Sequence, residues 1–401
     1  MFRLTTPHSQ RRAGARTAFA AALLTAFAAS ADAEFRPFQT ARHFDQGGFV
    51  YAMTNNADAN EILVYFRNRS GGLREVRVGP VGTGGAGGSV TAAVDPLGSQ
   101  DSLIYDEMHD MLFAVNAGSD TVTGFDTSFL GVPFAWNRKI APSGGNIPVS
   151  LAVLEDKLFV LNAGGTGSVA TIEIGPYGRL TLIDSFDLGL APQPTTPPFN
   201  QVMAPGQIGV DALDRQLIVT YGAGQAVLTI ALDDDGLPAG PVVSTPSPGV
   251  VPFAFDVTPY GSILVAEAGS GAVSAYDPSV GGAPLNLVAA TVATGQAATC
   301  WIVVHPGGYA YVTNTGSDTL SQYQYTRTGG LALVEAIVAT ATGAPTDMTI
   351  AGEGSFIYTL NAASGEISGF AVDPDSGALT LVETEAGLPA SAGIQGIAAR
   401  D

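Results

Sequence analysis

Carboxylates are the groups in this 401-residue chain best placed to do chemistry. Glu267 closes the apolar run Ile263-Leu264-Val265-Ala266, at a position that most other copies of the same phrase fill with Asn. Asp101 and Asp347 open apolar runs, as Ser99-Gln100-Asp101 and Pro345-Thr346-Asp347, and Gln207 and Gln395 stand at matching starts. A carboxylate among apolar neighbours stays ionised only if it is solvated, paired or bound to a cation. Oxygen-only ligands suit Ca²⁺ or Mg²⁺ rather than zinc. Glu267, Asp347 and Asp101 are therefore expected either as acid/base groups or as ligands of such a cation, which would polarise a carbonyl and activate water.

Other reactive groups are few. Cys300 is the single cysteine, so no intrachain disulfide can form, and no base or cation lies near it in sequence to make a thiolate. Beside Trp301 it reads as a small buried filler. His109 and His305 fall in polar turns after apolar runs and read as solvated. His43 lies next to Arg42 in the stretch 34–46; folded over a channel mouth, the pair would supply an imidazole and a guanidinium. Asn55, Asn116, Asn162, Asn314 and Asn361 recur at one phrase position. Asn tolerates left-handed backbone and bonds its own turn, so a need repeated in every copy reads first as architecture. These five, with Gln207, Trp301 and Gln395, are also the candidate substrate contacts. The chain has no phosphate-cradling glycine loop, no His/Cys metal spacing and no serine elbow.

These residues sit on a repeated unit. An apolar run, a small turn built on Asn and Gly, and a second apolar run occur seven times, with the turn position at 55, 116, 162, 222, 267, 314 and 361. Each unit reads as four short strands rich in β-branched and aromatic residues, punctuated by Gly, Asn, Asp and Pro. The sequence thus predicts an all-β, seven-bladed β-propeller. The blades are expected at 47–84 plus 391–401, 99–142, 147–191, 204–245, 250–295, 297–342 and 344–388. The first unit lacks an inner strand and the tail Gly393 to Ala399 looks like one without a blade. The tail is therefore expected to join the first sheet and close the ring. Two connections between blades are long, Gly79 to Gln100 and the Pro-rich Ala191 to Pro205. Both should rise on the face that carries the Asn turns, and a ligand site is expected there, at the channel mouth.

The N-terminus reads as an export signal over residues 1–33. Arg3, Arg11, Arg12 and Arg16 form a basic head, Ala18 to Ala29 an apolar stretch, and Ala31-Asp32-Ala33 a small-x-small cleavage site. The stretch is shorter than the ~20 residues of a spanning helix. A periplasmic or extracellular location follows, by the Sec or the twin-arginine route, with residues 34–46 as an extended leader and 47–401 as the propeller. Formal net charge is −19. That field repels nucleic acid and anionic lipid, and opposes capture of a highly phosphorylated ligand. No membrane insertion is expected, and a monomer suffices.

The phrase Tyr311-Val312-Thr313-Asn314 is the signature of the YVTN repeats. Phe113-Ala114-Val115-Asn116-Ala117-Gly118-Ser119-Asp120-Thr121-Val122 resembles the blades of the bacterial lactonase family of seven-bladed propellers, which includes phosphogluconolactonases and carboxymuconate cyclases. The resemblance spans about Gly47 to Arg400. It implies hydrolysis or isomerisation of a lactone or similar cyclic ester, and His at inner-strand starts with Arg and Glu nearby. This sequence has no His or Arg at those starts. A non-catalytic propeller that binds an extracellular protein or glycan with the same face is the second expectation.

Overall fold

The computed structural model describes residues 47–89, 94–213, 215–279 and 283–401. The expected signal segment and the leader with Arg42 and His43 lie outside the described residues. Seven antiparallel sheets make the seven blades, and the ring is closed as the repeat predicts. Blade 1 takes its inner strand from the C-terminal end. Ile397–Arg400 pairs antiparallel with Gly48–Met53, in the register Phe49↔Arg400, Val50↔Ala399, Tyr51↔Ala398 and Ala52↔Ile397. The other inner strands are Leu103–Asp106, Pro148–Leu154, Pro205–Val210, Pro252–Val257, Thr299–His305 and Pro345–Ala351, for blades 2 to 7.

The second strand of each blade is apolar because it is covered on both faces. Met111–Asn116 and Phe356–Asn361 are buried at every residue. Their aromatic side chains fill the space between adjacent blades, and a buried Tyr hydroxyl needs a partner there. Tyr51 donates to the Gly131 carbonyl of blade 2 (2.6 Å), Tyr311 to Gly377 of blade 7 (2.6 Å) and Tyr358 to Gly71 of blade 1 (2.7 Å). Burial and blade-to-blade hydrogen bonding thus come from the same residues.

Strand starts differ from expectation for a local reason. The tail strand begins at Ile397 rather than Gly393, because Gly393 and Gly396 both have positive φ and interrupt an extended run. Blade 2 begins at Leu103 because Asp101 is left-handed, with φ 61°. Among the repeated Asn residues only Asn55 is left-handed (φ 50°). Tolerance of that conformation is therefore not what the Asn position supplies.

The two long connections do meet on one face. Gln201 Nε2 donates to the Asp95 carbonyl (3.0 Å), and Gly98 (φ 59°) lies so close to Gln201 that a Cβ on it would fall 2.4 Å from the Gln201 Cβ. Only glycine fits both the angle and the approach. This will be called the connector face. The turns that follow the inner strands form the opposite, turn face.

Candidate active site in the axial channel

The repeated Asn side chains are spent on tying strands of their own blade to one another and to the connection beside them. Asn116 Nδ2 donates to Thr121 (3.1 Å) and Thr123 (3.0 Å) in the next strand of its own blade, while its Oδ1 accepts from Thr83 Oγ1 (2.7 Å) and Asn60 Nδ2 (3.1 Å) of blade 1. Asn314 makes the same two donor bonds, to Thr319 (3.1 Å) and Ser321 (2.8 Å), and accepts from Thr299 (2.6 Å), all within blade 6. Asn361 bonds Ser368 (2.8 Å) and Thr342 (2.9 Å), Asn162 bonds the Ser143 carbonyl (2.9 Å), and Asn55 bonds the Gly393 carbonyl (3.1 Å). All five are fully buried. The partner residue often sits in the connection from the previous blade, through its hydroxyl at Thr83-Gly84 and Thr342-Gly343 and through its carbonyl at Ser143-Gly144.

Glu267 occupies the same slot in blade 5. It accepts from Ser247 Oγ, its Oε2 has no hydrogen-bond partner, and it is fully buried. Burial pushes its carboxyl above the usual Glu range, against the pull of Ser247 and of Ser274, which lies near without a bond of normal geometry. A raised acid stabilises the fold when protonated, and that contribution is lost as pH rises through the folded-state pKa. Glu267→Gln should therefore stabilise the fold at pH 8 by the ~1–3 kcal/mol that an unsatisfied buried polar group costs, read as a higher melting temperature. The gain should shrink toward pH 4. Scanning calorimetry at the two pH values checks this; a lower melting temperature at pH 8 would contradict it.

Around the axis a second set of polar side chains stitches successive inner strands. Ser150 Oγ accepts the Ile208 N–H (3.1 Å), Gln207 Oε1 the Phe255 N–H (2.6 Å) and Asp256 Oδ2 the Val304 N–H (2.6 Å). The connector-side end of the channel is filled by bonds across the axis. Gln100 of blade 2 holds both the N–H and the carbonyl of Ile302 in blade 6, each at 3.0 Å. Trp301 Nε1 (2.8 Å) and Gln395 Nε2 (2.7 Å) both donate to the Ser99 carbonyl, and Gln395 Oε1 accepts the Leu97 N–H (3.1 Å). Trp301 stacks edge-on against Phe253 at 5.0 Å.

Below this plug lies a cavity of about 460 Å³. Gln100, Asp101, Gln207 and Asp256 line its inner end, and Tyr105, Pro306, Glu353 and Gly354 its rim. The rim residues belong to the turn face, so the axial cavity opens opposite the connector face where a ligand mouth was expected. Asp101 Oδ2 accepts from Gln207 Nε2 (2.6 Å). Asp256 accepts two backbone N–H groups, Val257 at 2.7 Å and Val304 at 2.6 Å. Burial, and then the charge of Asp256, push the Asp101 carboxyl up to about 7. Burial pushes Asp256 up to about 6, against the two N–H donors. Asp347 is raised well above its ordinary range by burial and by Asp101; it accepts the Met348 N–H (2.9 Å), and its Oδ2 has no partner.

The expected cation cage is not assembled. Asp101 and Asp347 flank the axis, but Glu267 lies in the slot between blades, and no three His, Cys, Asp or Glu among the described residues could hold a metal ion. Cys300 is buried, as read from sequence, and burial pushes its thiol up. His305 differs from its reading as a solvated turn residue. It ends the inner strand of blade 6 and is buried; its Nδ1 accepts the Gly307 N–H (2.9 Å), leaving Nε2–H to donate to the Gly354 carbonyl (2.8 Å).

The family profile of the seven-bladed β-propeller lactonases matches residues 65–394. The chain belongs to this lactonase family. Solved structures agree on the fold of this lactonase-family propeller. A periplasmic gluconolactonase of Pseudomonas aeruginosa is 17% identical, with 86% of this chain and 97% of that one covered at a TM-score of 0.66. A Bacteroides fragilis protein provisionally assigned as a 6-phosphogluconolactonase is 16% identical, over 89% and 98% of the two chains, at 0.67. Virginiamycin B lyase of Staphylococcus aureus is 10% identical, over 76% and 89%, at 0.52. No curated protein matches the sequence significantly.

Asp256 is the site residue that sequence reading missed. Its signal was present: a carboxylate inside Pro252-Phe253-Ala254-Phe255-Asp256-Val257, a run otherwise apolar.

Proposed function

We propose that this lactonase-family propeller hydrolyses a lactone in the axial cavity, with Asp256 as general base and Asp101 as general acid. The observation that carries the reading is the pair of raised carboxyls, Asp256 to about 6 and Asp101 to about 7, lining one cavity of substrate size. Burial raises both carboxyls and the charge of Asp256 falls on Asp101, so the working state is the one in which Asp256 is ionised and Asp101 holds a proton. Asp256 takes a proton from water as the water oxygen attacks the lactone carbonyl. The acyl carbon–ring oxygen bond then breaks, and Asp101 donates its proton to the departing oxygen. The product is an open-chain hydroxy acid, and proton exchange with solvent resets the pair. Gln207 holds one oxygen of Asp101 and leaves the other for the reaction. No step runs through a cation. The same reading places the protein outside the cytoplasm, supported by the N-terminal pattern of basic head, apolar stretch and Ala31-Asp32-Ala33. No helix among the described residues is long and apolar enough to cross a membrane.

The test is a set of γ- and δ-lactones assayed across pH 5 to 8. The expected kcat/KM profile is bell-shaped, rising as Asp256 ionises and falling as Asp101 loses its proton, with a maximum at about 6–7 set by the coupled pair. EDTA should leave it unchanged. A lack of turnover on every lactone would overturn the reading in favour of a binding role for the propeller.

A further inference from the structure

We infer that the axial site selects uncharged lactones, admits them only from the turn face, and rejects phosphorylated ones. The inference rests on the proposed hydrolysis and names its substrate class. Net charge alone would leave room for a local basic pocket, as phosphate-binding sites on acidic proteins require. Among the described residues the cavity offers none: no Lys, Arg or His of them lines it. Two cations among the described residues stand beside it and both are engaged: Arg67, whose Nη2 pairs with Asp401 (2.8 Å) next to the rim, and Arg400, which follows Ala399 in the lining. Arg400 Nε bonds Asp110 Oδ1 (3.0 Å) and the Tyr105 hydroxyl (3.1 Å), and Nη2 reaches Asp110 Oδ2 (3.3 Å).

Acidic groups stand at both ends of the cavity. Asp101 and Asp256 line its floor, Asp347 lies near enough to Asp101 to feel its charge, and the exposed Glu353 stands at the rim. A phosphate dianion entering there would lose water and meet the charge of the ionised Asp256, while Asp101 keeps its proton. In a medium of effective dielectric about 20, that one carboxylate at roughly 8 Å already disfavours a dianion by at least about 100-fold. A neutral polyhydroxy lactone meets the opposite situation, because carboxylates and the Gln100 and Gln207 amides are acceptors and donors for hydroxyls. The bonds of Gln100 to Ile302 and of Trp301 to Ser99 fill the connector end, so the ligand passes Glu353 on its way in.

One experiment separates this from the hydrolysis itself. The same six-carbon δ-lactone is assayed with and without a 6-phosphate, for the parent protein and for Glu353→Lys. The expected result is a kcat/KM at least 100-fold higher for the unphosphorylated lactone, with Glu353→Lys narrowing the ratio about tenfold. Equal or better turnover of the phosphorylated lactone would overturn the selectivity while leaving the hydrolase intact. Turnover of neither would overturn the hydrolase reading and the selectivity with it. A parent ratio that Glu353→Lys does not move would overturn entry past the turn-face rim.

Discussion

Deleting residues 394–401 is expected to abolish the cooperative melting transition of the protein. The deleted segment supplies the inner strand of blade 1 and buries Ile394, Gln395, Ile397 and Ala398. Each buried Ile contributes roughly 1.5–3 kcal/mol, and each lost strand hydrogen bond about 1 kcal/mol. The deletion also takes Asp401, which bonds the buried Arg67 at 2.8 Å, and Arg400, which bonds Asp110. The total reaches the ~5–15 kcal/mol that holds a typical domain together. It also opens a sheet edge in the middle of the ring, where other chains can pair. Differential scanning calorimetry and size exclusion check this. A truncated protein that stays monomeric and melts within a few degrees of the parent would show that the closure carries little stability.

Asp256→Asn and Asp101→Asn should each lower kcat/KM by about 10²–10⁴-fold, the usual contribution of a positioned acid or base. The two losses should differ in kind. Asp101 donates to the leaving oxygen, so its loss should matter less for a phenolic lactone, whose oxygen leaves without a proton. Asp256 activates water, so its loss should be the same for phenolic and aliphatic lactones. Asp101→Asn keeps an oxygen for Gln207 Nε2 and should fold normally. Asp256→Asn loses one of two acceptors for Val257 and Val304, so its melting temperature is measured beside its rate. Equal losses on both lactone types for both variants would contradict the assignment of roles.

Blade number and ring closure were legible because both depend on periodicity and on a strand missing at one end and spare at the other. The meeting of the two long connections was legible too, because strand polarity decides which face a connection emerges on. What happens on the axis was not. Gln100 and Ile302 are 202 positions apart and touch only because the ring brings blades 2 and 6 face to face. Strand alternation says that Asp256 faces inward or outward, but not how deep it lies or which N–H groups it meets. Glu267 looked exceptional because it is the charged member of a repeated position. The structure gives it the task of its Asn equivalents, and the Ser247 that receives it could have been read from the Ser/Thr-Gly or Ser-Pro-Gly pairs in the preceding connections. His305 was misplaced by one residue of strand length, which was enough to move it from a solvated turn to a buried strand end.

Blocking one face of the ring tests the axial site most directly. Glu353→Cys at the turn-face rim and Ala57→Cys in an exposed turn of the connector face can each be labelled with a bulky maleimide, since the native Cys300 is buried. Labelled Glu353→Cys should lose at least about nine-tenths of its lactone turnover, through a higher KM, while labelled Ala57→Cys keeps the parent rate. Full activity with the turn face blocked, or loss on blocking the connector face instead, would contradict a site inside this cavity.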